Sequence, residues 1–116
     1  LVDDEEFSIS EVYNISVGLT PYIASGIKVA NDEYRDAGMF YMMTMRAIGV
    51  GSFLPMLRKI YGGRKFADTD YLSVRGCRSV SIPRHDRRSD VEHDGDPCGN
   101  LPCTIEMAKE ELDLIY

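Results

Sequence analysis

Two carboxylates stand on either side of one glycine in the run His93-Asp94-Gly95-Asp96-Pro97. A tight turn between two strand-like segments needs one Asp and a Gly, so the second carboxylate asks for a chemical role. In an extended chain, residues two apart point to the same face, which would put Asp94 and Asp96 side by side. Such a pair binds a divalent cation, or one member takes a proton while the other orients it. The same residues also make a plain Asp-Gly hairpin turn with a charged rim, and the spacing alone leaves both readings open.

The second cluster is basic. Arg75, Arg78, Arg84, Arg87 and Arg88, with His85, crowd one predicted hairpin of an otherwise acidic chain. Clustered guanidinium groups suit phosphate or an anionic headgroup, and Arg84 and Arg87 are the candidates for that role. A solvated hairpin tip would use the same residues. A third stretch, "GVGSFL" at 49–54, begins like a nucleotide-binding glycine turn, but Leu54 stands where a third glycine would fall and no Lys-Ser/Thr pair follows. It reads as a strand-to-helix turn, so the chain has no recognisable loop for nucleotide phosphates. Cys77, Cys98 and Cys103 are an odd number, which fits a reducing, cytoplasmic compartment better than a disulfide framework. Cys98 and Cys103 lack a second Cys or His pair for a zinc site.

The elements that must position these groups read as mainly β. The 116 residues suit one domain, 1–116, with room for a core. A net charge of −6 argues against attraction of the whole surface to nucleic acid or to an anionic membrane, and no nucleic acid is expected as a partner. No apolar run approaches the ~18–20 residues of a membrane helix. The start, "LVDDEEF", is acidic, unlike a signal peptide. Because it begins at Leu1, the chain is expected to be processed or to be a piece of something larger.

Residues 1–11 read as a loop or hairpin arm. Strands are predicted over 12–19, 23–30 and 39–48, the last a nearly continuous apolar run that suits burial on both faces. Residues 31–38 are turn-rich, with Gly38 able to supply a positive φ. The helix predicted over 49–63 has Ser52 as its N-cap and Pro55 in its first turn. Phe53, Leu57 and Ile60 lie on the side expected to pack on the sheets. Strand-like runs at 70–76, 77–83, 90–94, 102–107 and 111–116 follow, separated by turns. The pattern predicts an antiparallel β-sandwich with one inserted helix.

The ordered motifs resemble a known family. "VEHDGDPCGNLPCTIEMAKEELDLIY" is similar to the end of the catalytic region of the diacylglycerol kinase family, which holds bacterial lipid kinases, sphingosine kinases and ceramide kinases. That family carries Asp-Gly-Glu-Pro, then Pro-x-x-(Val/Ile)-Glu, then a Leu-rich closing strand. Here the matching pieces are Asp94-Gly95-Asp96-Pro97, Pro102-Cys103-Thr104-Ile105-Glu106 and Leu112-Asp113-Leu114-Ile115. Upstream, "GLTPYIASGIKVANDEYRDAGMFYMM" resembles the family's glycine-rich turn, Pro turn and Asp-Gly-Leu segment, and "LPMLRKIYGG" its helix ending in Gly.

The resemblance implies the carboxyl-terminal β-sandwich half of a two-domain lipid kinase, acting at the membrane periphery. It also implies a partner N-terminal kinase domain that holds ATP and Mg²⁺, and a lipid acceptor of diacylglycerol or sphingoid type. Asp96 matches the family's Glu and is expected to accept the hydroxyl proton, with Asp94 as its orienting or metal-linked partner. The family's cation-binding Asp-Gly pair aligns with Ala37-Gly38, which leaves Asp36, one position early, as the metal candidate. Ala24-Ser25-Gly26 replaces a triple glycine. The piece alone is expected to be inactive. The other reading, from a different class, is a free-standing β-sandwich module that binds an anionic ligand at the Arg-rich hairpin.

Overall fold

A computed structural model describes residues 1–20, 22–23, 27–28, 33–61, 71–85 and 89–109. The strands described are paired antiparallel throughout, as the mainly β reading expects. The chain divides into two compact units, one running from Ser8 to Cys77 and the other combining Leu1–Phe7 with the chain from Arg78 onward.

The Ser8–Cys77 unit is organised by one strand. β1 (Val12–Gly18), β4 (Phe40–Arg46) and β5 (Leu72–Cys77) form a three-stranded sheet with β4 in the centre. Phe40, Tyr41, Met42, Met43 and Thr44 are all buried. Successive residues of a strand point to opposite faces, so both faces of β4 are covered. That is why its sequence is a continuous apolar run rather than an alternating one. On one face Tyr41 and Met43 pack with Leu72, joined by the half-buried Tyr34, Met45 and Val74. On the other face Thr44 is buried with its hydroxyl oxygen unpartnered.

Two glycines make room for aromatic rings on this sheet. Gly18 and Gly76 are the two neighbours of Tyr41 across the strands. A Cβ on Gly18 would stand 2.7 Å from the Tyr41 hydroxyl, and one on Gly76 would stand 2.5 Å from the Tyr34 ring. A β-bulge at the start of β1, between Val12 and Asn14, turns Tyr13 out to solvent.

The strand predicted over 23–30 is instead two short strands, β2 (Tyr22–Ile23) and β3 (Ile27–Lys28), which pair with each other. Two segments that pair antiparallel with each other are not one strand. Within the turn-rich 31–38 lies a single helical turn, α1 (Glu33–Asp36). It ends in a Schellman motif: Met39 N–H donates to the Tyr34 carbonyl and Gly38 N–H to the Arg35 carbonyl. Gly38 takes φ 67°, the left-handed conformation that the motif needs.

The long helix is α2 (Val50–Tyr61). Its N-cap is Gly49, whose carbonyl accepts the Ser52 and Phe53 N–H groups. Ser52, expected at the cap, is therefore the third helical residue. Glycine is accepted at an N-cap without a side-chain bond, and starting there lengthens the helix. Pro55 falls inside the helix rather than in its first turn, so it offers the Gly51 carbonyl no i→i−4 donor. Phe53 was expected to be packed on the sheets. It is 42 % exposed, beside Val50 and Leu54, which are more so. Leu57 and Ile60 side chains, like the predicted strand at 111–116, lie outside the described residues.

The other unit begins with a tight turn. Val2 and Glu5 exchange both backbone hydrogen bonds around Asp3 and Asp4, which both have positive φ. Leu1–Asp3 then run beside β6 (Ser79–Ile82): Ser81 N–H donates to the Leu1 carbonyl, and Asp3 Oδ1 accepts from the N–H groups of Arg78 and Ser79. The buried Val2 and Val80 face each other across this edge. The opposite edge of β6 pairs with β9 (Cys103–Glu106), where the hydroxyls of Ser81 and Thr104 lie 2.9 Å apart. The last pair is the hairpin of β7 (Asp90–His93) and β8 (Asp96–Asn100). Its second strand was read only as turn, because Pro97 and Gly99 are poor strand formers. Each strand of an isolated hairpin is an edge strand, where Pro is tolerated.

Candidate active site on the β7–β8 hairpin

The tip of this hairpin is made by Asp94 and Gly95, with φ 51° and 88°. Positive φ at both central residues is the type I′ turn, the two-residue loop whose twist matches that of the flanking strands. Asp-Gly is one of the few pairs that adopt it without strain. This corrects the same-face expectation. The chain is not extended through Gly95: Asp94 is the first turn residue, whereas Asp96 opens β8 directly opposite His93. Asp96 thus shares a face with His93, and Asp94 projects from the bend itself.

Every residue from Glu92 to Asn100 is exposed. His93 Nδ1 lies 3.8 Å from Asp94 Oδ2, with both side chains more than four-fifths exposed. An ion pair in such a setting contributes little to stability. The tip is therefore a rim of carboxylates held by backbone geometry rather than by side-chain packing.

The base of the hairpin is fixed by side chains that were not singled out from the sequence. Asn100 Nδ2 donates to Asp90 Oδ1 at 2.8 Å and to the Ser89 carbonyl at 3.4 Å, and Leu101 N–H donates to that same carbonyl. Between base and tip the register slips. Val91 faces Gly99 and Glu92 faces Pro97, leaving Cys98 as an extra residue on β8. Cys98 Sγ donates to the Val91 carbonyl over 3.4 Å, and Gly99 takes φ 145°, a conformation closed to other residues. Such a bulge bends and twists the strand and re-aims the residues beyond it, here Asp96. The signal in the sequence was the Gly two positions after a Pro. Cys103, half-buried at the start of β9, has its thiol pKa pushed up, first by burial and then by the nearby Cys98.

The other candidates fall as follows. Arg84 is exposed, just past the end of β6 and in the same unit as the hairpin. Arg87 and Arg88 lie outside the described residues. Asp36 is an exposed carboxylate at the end of α1, in the Ser8–Cys77 unit. Among the described residues no three His, Cys, Asp or Glu side chains converge to hold a metal ion. None of Cys77, Cys98 and Cys103 is in a disulfide.

Antiparallel sheets, a buried central strand and an exposed carboxylate hairpin define a mainly β, sandwich-like domain. Residues 1–116 match, end to end, the family described as the YegS C-terminal NAD kinase beta sandwich-like domain. The chain belongs to that family, and so is a C-terminal domain of the YegS-type lipid kinases. No curated protein and no solved structure matches it. Among the described residues no helix is long and apolar enough to cross a membrane.

Proposed function

We propose that this domain is the acceptor side of an ATP-dependent lipid kinase that phosphorylates a hydroxyl of a diacylglycerol-like or sphingoid lipid. The observation that carries the reading is the family match over all 116 residues, which joins the domain to kinases. In this reading ATP, with its Mg²⁺, is held by an N-terminal domain of the same protein, because no phosphate loop occurs in the chain.

The part left to this domain is positioning and proton transfer. Phosphoryl transfer asks little covalent chemistry of a protein and much alignment. The acceptor oxygen bonds to the γ-phosphorus, the bond to the bridging oxygen breaks and ADP leaves. The hydroxyl proton passes to Asp96. Asp94, on the adjoining bend, orients Asp96 or adds negative charge that keeps the transferred proton there. Three features support these roles: the turn that points Asp94 outward, the bulge that re-aims Asp96, and the absence of covering side chains from Glu92 to Asn100. Arg84 and Arg87 serve the phosphate of the product.

The test is an assay of the full-length protein with labelled ATP against a panel of diacylglycerol, monoacylglycerol, sphingosine and ceramide. Transfer to one of these classes supports the reading. ATP turnover with none of them accepted, while a non-lipid alcohol is phosphorylated, overturns it.

A further inference from the structure

We propose that the peptide link between Asp94 and Gly95 is a site of spontaneous modification. The aspartate closes on the next backbone nitrogen to a succinimide and reopens in part as isoaspartate, which alters the hairpin tip as the protein ages. The chemistry is that of the turn itself and is independent of the lipid-kinase reading. Only its effect on turnover rests on that reading.

In the first step the Gly95 amide nitrogen bonds to Cγ of the Asp94 carboxyl group. A carboxyl C–O bond breaks, and that oxygen leaves as water with the carboxyl proton and the proton of the nitrogen. The product is a five-membered ring. Water then adds to one of the two ring carbonyl carbons, and the C–N bond at that carbon breaks. Opening at Cγ restores aspartate. Opening at the main-chain carbonyl leaves Asp94 joined to Gly95 through its side-chain carboxyl. One water leaves and one enters, nothing is oxidised or reduced, and no co-reactant is needed.

Access of that nitrogen to the carboxyl carbon governs the rate, and the hairpin tip provides it. A side chain on the following residue obstructs the attack, and Gly95 has none. The surroundings add no obstruction, since even a Cβ built there would meet nothing within 4 Å. The strand ladder ends at the His93–Asp96 pair, so the Gly95 N–H lies outside it. The Asp94 side chain is 91 % exposed, so no packing holds it in one rotamer and water reaches the ring. β7 and β8 pair as strands only with each other among the described residues. Such a hairpin is marginal, so its tip opens locally at small cost and visits the backbone angles that ring closure needs. The sequence singles out this position: Asp94 is the only Asp followed by Gly, and no Asn is followed by Gly. Isoaspartate carries the main chain through Cβ and so adds one carbon between His93 and Asp96. The two-residue turn depends on its fixed positive φ angles, and a longer link shifts Asp96 away from its place opposite His93. On the proposed assignment turnover then falls as isoaspartate accumulates.

The experiment ages the full-length protein at neutral pH and physiological temperature over several weeks. Samples are cut with trypsin, and the peptide Ser89–Lys109 is isolated. Isoaspartate in it is scored with an isoaspartyl methyltransferase and a labelled methyl donor, and by resistance to an endoproteinase that cuts before Asp. The natural protein should accumulate isoaspartate at Asp94 and lose turnover in the same proportion. Gly95→Ala should slow the accumulation. It places a Cβ at φ 88°, so circular dichroism checks its fold, and Asp94→Glu, whose ring would be six-membered and slow to close, is the second variant. Asp94→Asn should quicken the accumulation, because an amide is attacked more readily than a carboxylate. Absence of isoaspartate at position 94 in the folded protein, while the free peptide Ser89–Lys109 forms it, overturns the proposal. Equal accumulation in the natural protein and Gly95→Ala overturns it as well. Should isoaspartate build up as stated with turnover unchanged, or with no lipid phosphorylated at any age, the modification stands and the role given to Asp96 fails.

Discussion

Asn100 Nδ2 donates a 2.8 Å hydrogen bond to Asp90 Oδ1, tying the two strands together at the end of the hairpin opposite Asp94 and Asp96. The same amide also reaches the Ser89 carbonyl, so one side chain anchors both the strand and the residue that leads into it. Among the described residues β7 and β8 pair as strands only with each other. Two isolated strands are marginal in water. Asn100→Ala should therefore loosen the hairpin by about 1 kcal/mol, the net worth of an ordinary hydrogen bond. Amide hydrogen exchange should quicken about fivefold across residues 90–100 and stay unchanged in β4. Equal exchange in the hairpin before and after the change would show that the clamp is ornamental.

Asp96 opens β8 opposite His93, just beyond the two-residue turn. If it accepts the hydroxyl proton, Asp96→Asn in the full-length enzyme should lower turnover by roughly 10²–10⁴ with little change in folding. The exposure of the whole tip makes the second half of that statement firm, because no packing is lost. Asp94→Asn should cost less, because on the proposed assignment Asp94 acts on the reaction only through Asp96. It should leave the turn intact, because Asn tolerates positive φ nearly as well as Asp. Turnover of Asp96→Asn equal to that of the natural enzyme would remove the residue from the reaction.

Thr44 is 2 % exposed and its hydroxyl has no hydrogen-bond partner. A buried polar group without a partner costs the free energy of its lost hydration. Valine has nearly the same shape and no hydroxyl. Thr44→Val should stabilise the domain by about 1 kcal/mol, seen as a higher urea midpoint with an unchanged slope. A lower midpoint would mean that the hydroxyl is satisfied in solution.

The central strand and the hairpin show where reading the sequence succeeds and where it stops. Residues 39–48 announce β4 because a strand covered on both faces must be apolar at every position, and burial is a property of composition. α2 is legible for a similar reason, through its 3.6-residue period. Its start is not, because Gly49 and Ser52 are both acceptable caps and tertiary context chooses. At the candidate site the residue types were legible but their arrangement was not. Two carboxylates flanking a glycine share a face only in an extended chain, and the positive φ of Asp94 and Gly95 bends the chain between them. The Asp90–Asn100 clamp was invisible because its partners are ten residues apart, and only the register of the hairpin brings them together.

Tyr41 and Cys103 both hold their protons above the ordinary values of 10.0 and 9.0, each chiefly because burial disfavours the charged form, with Cys98 adding to the effect on Cys103. In the unfolded chain both groups titrate at ordinary values. As pH rises past about 9 the unfolded state therefore releases protons that the folded state keeps, and stability falls. The contribution is fully present below the unfolded pKa and is lost as pH climbs toward the folded one, at up to about 1.4 kcal/mol per pH unit for each group. Urea midpoints measured from pH 8 to about pH 11 should decline, and Tyr41→Phe should flatten the upper part of that decline, since it keeps the ring over Gly18 and removes the titrating oxygen. Cys103→Ser should flatten the lower part. A decline left unchanged by both substitutions would place the alkaline sensitivity elsewhere in the chain.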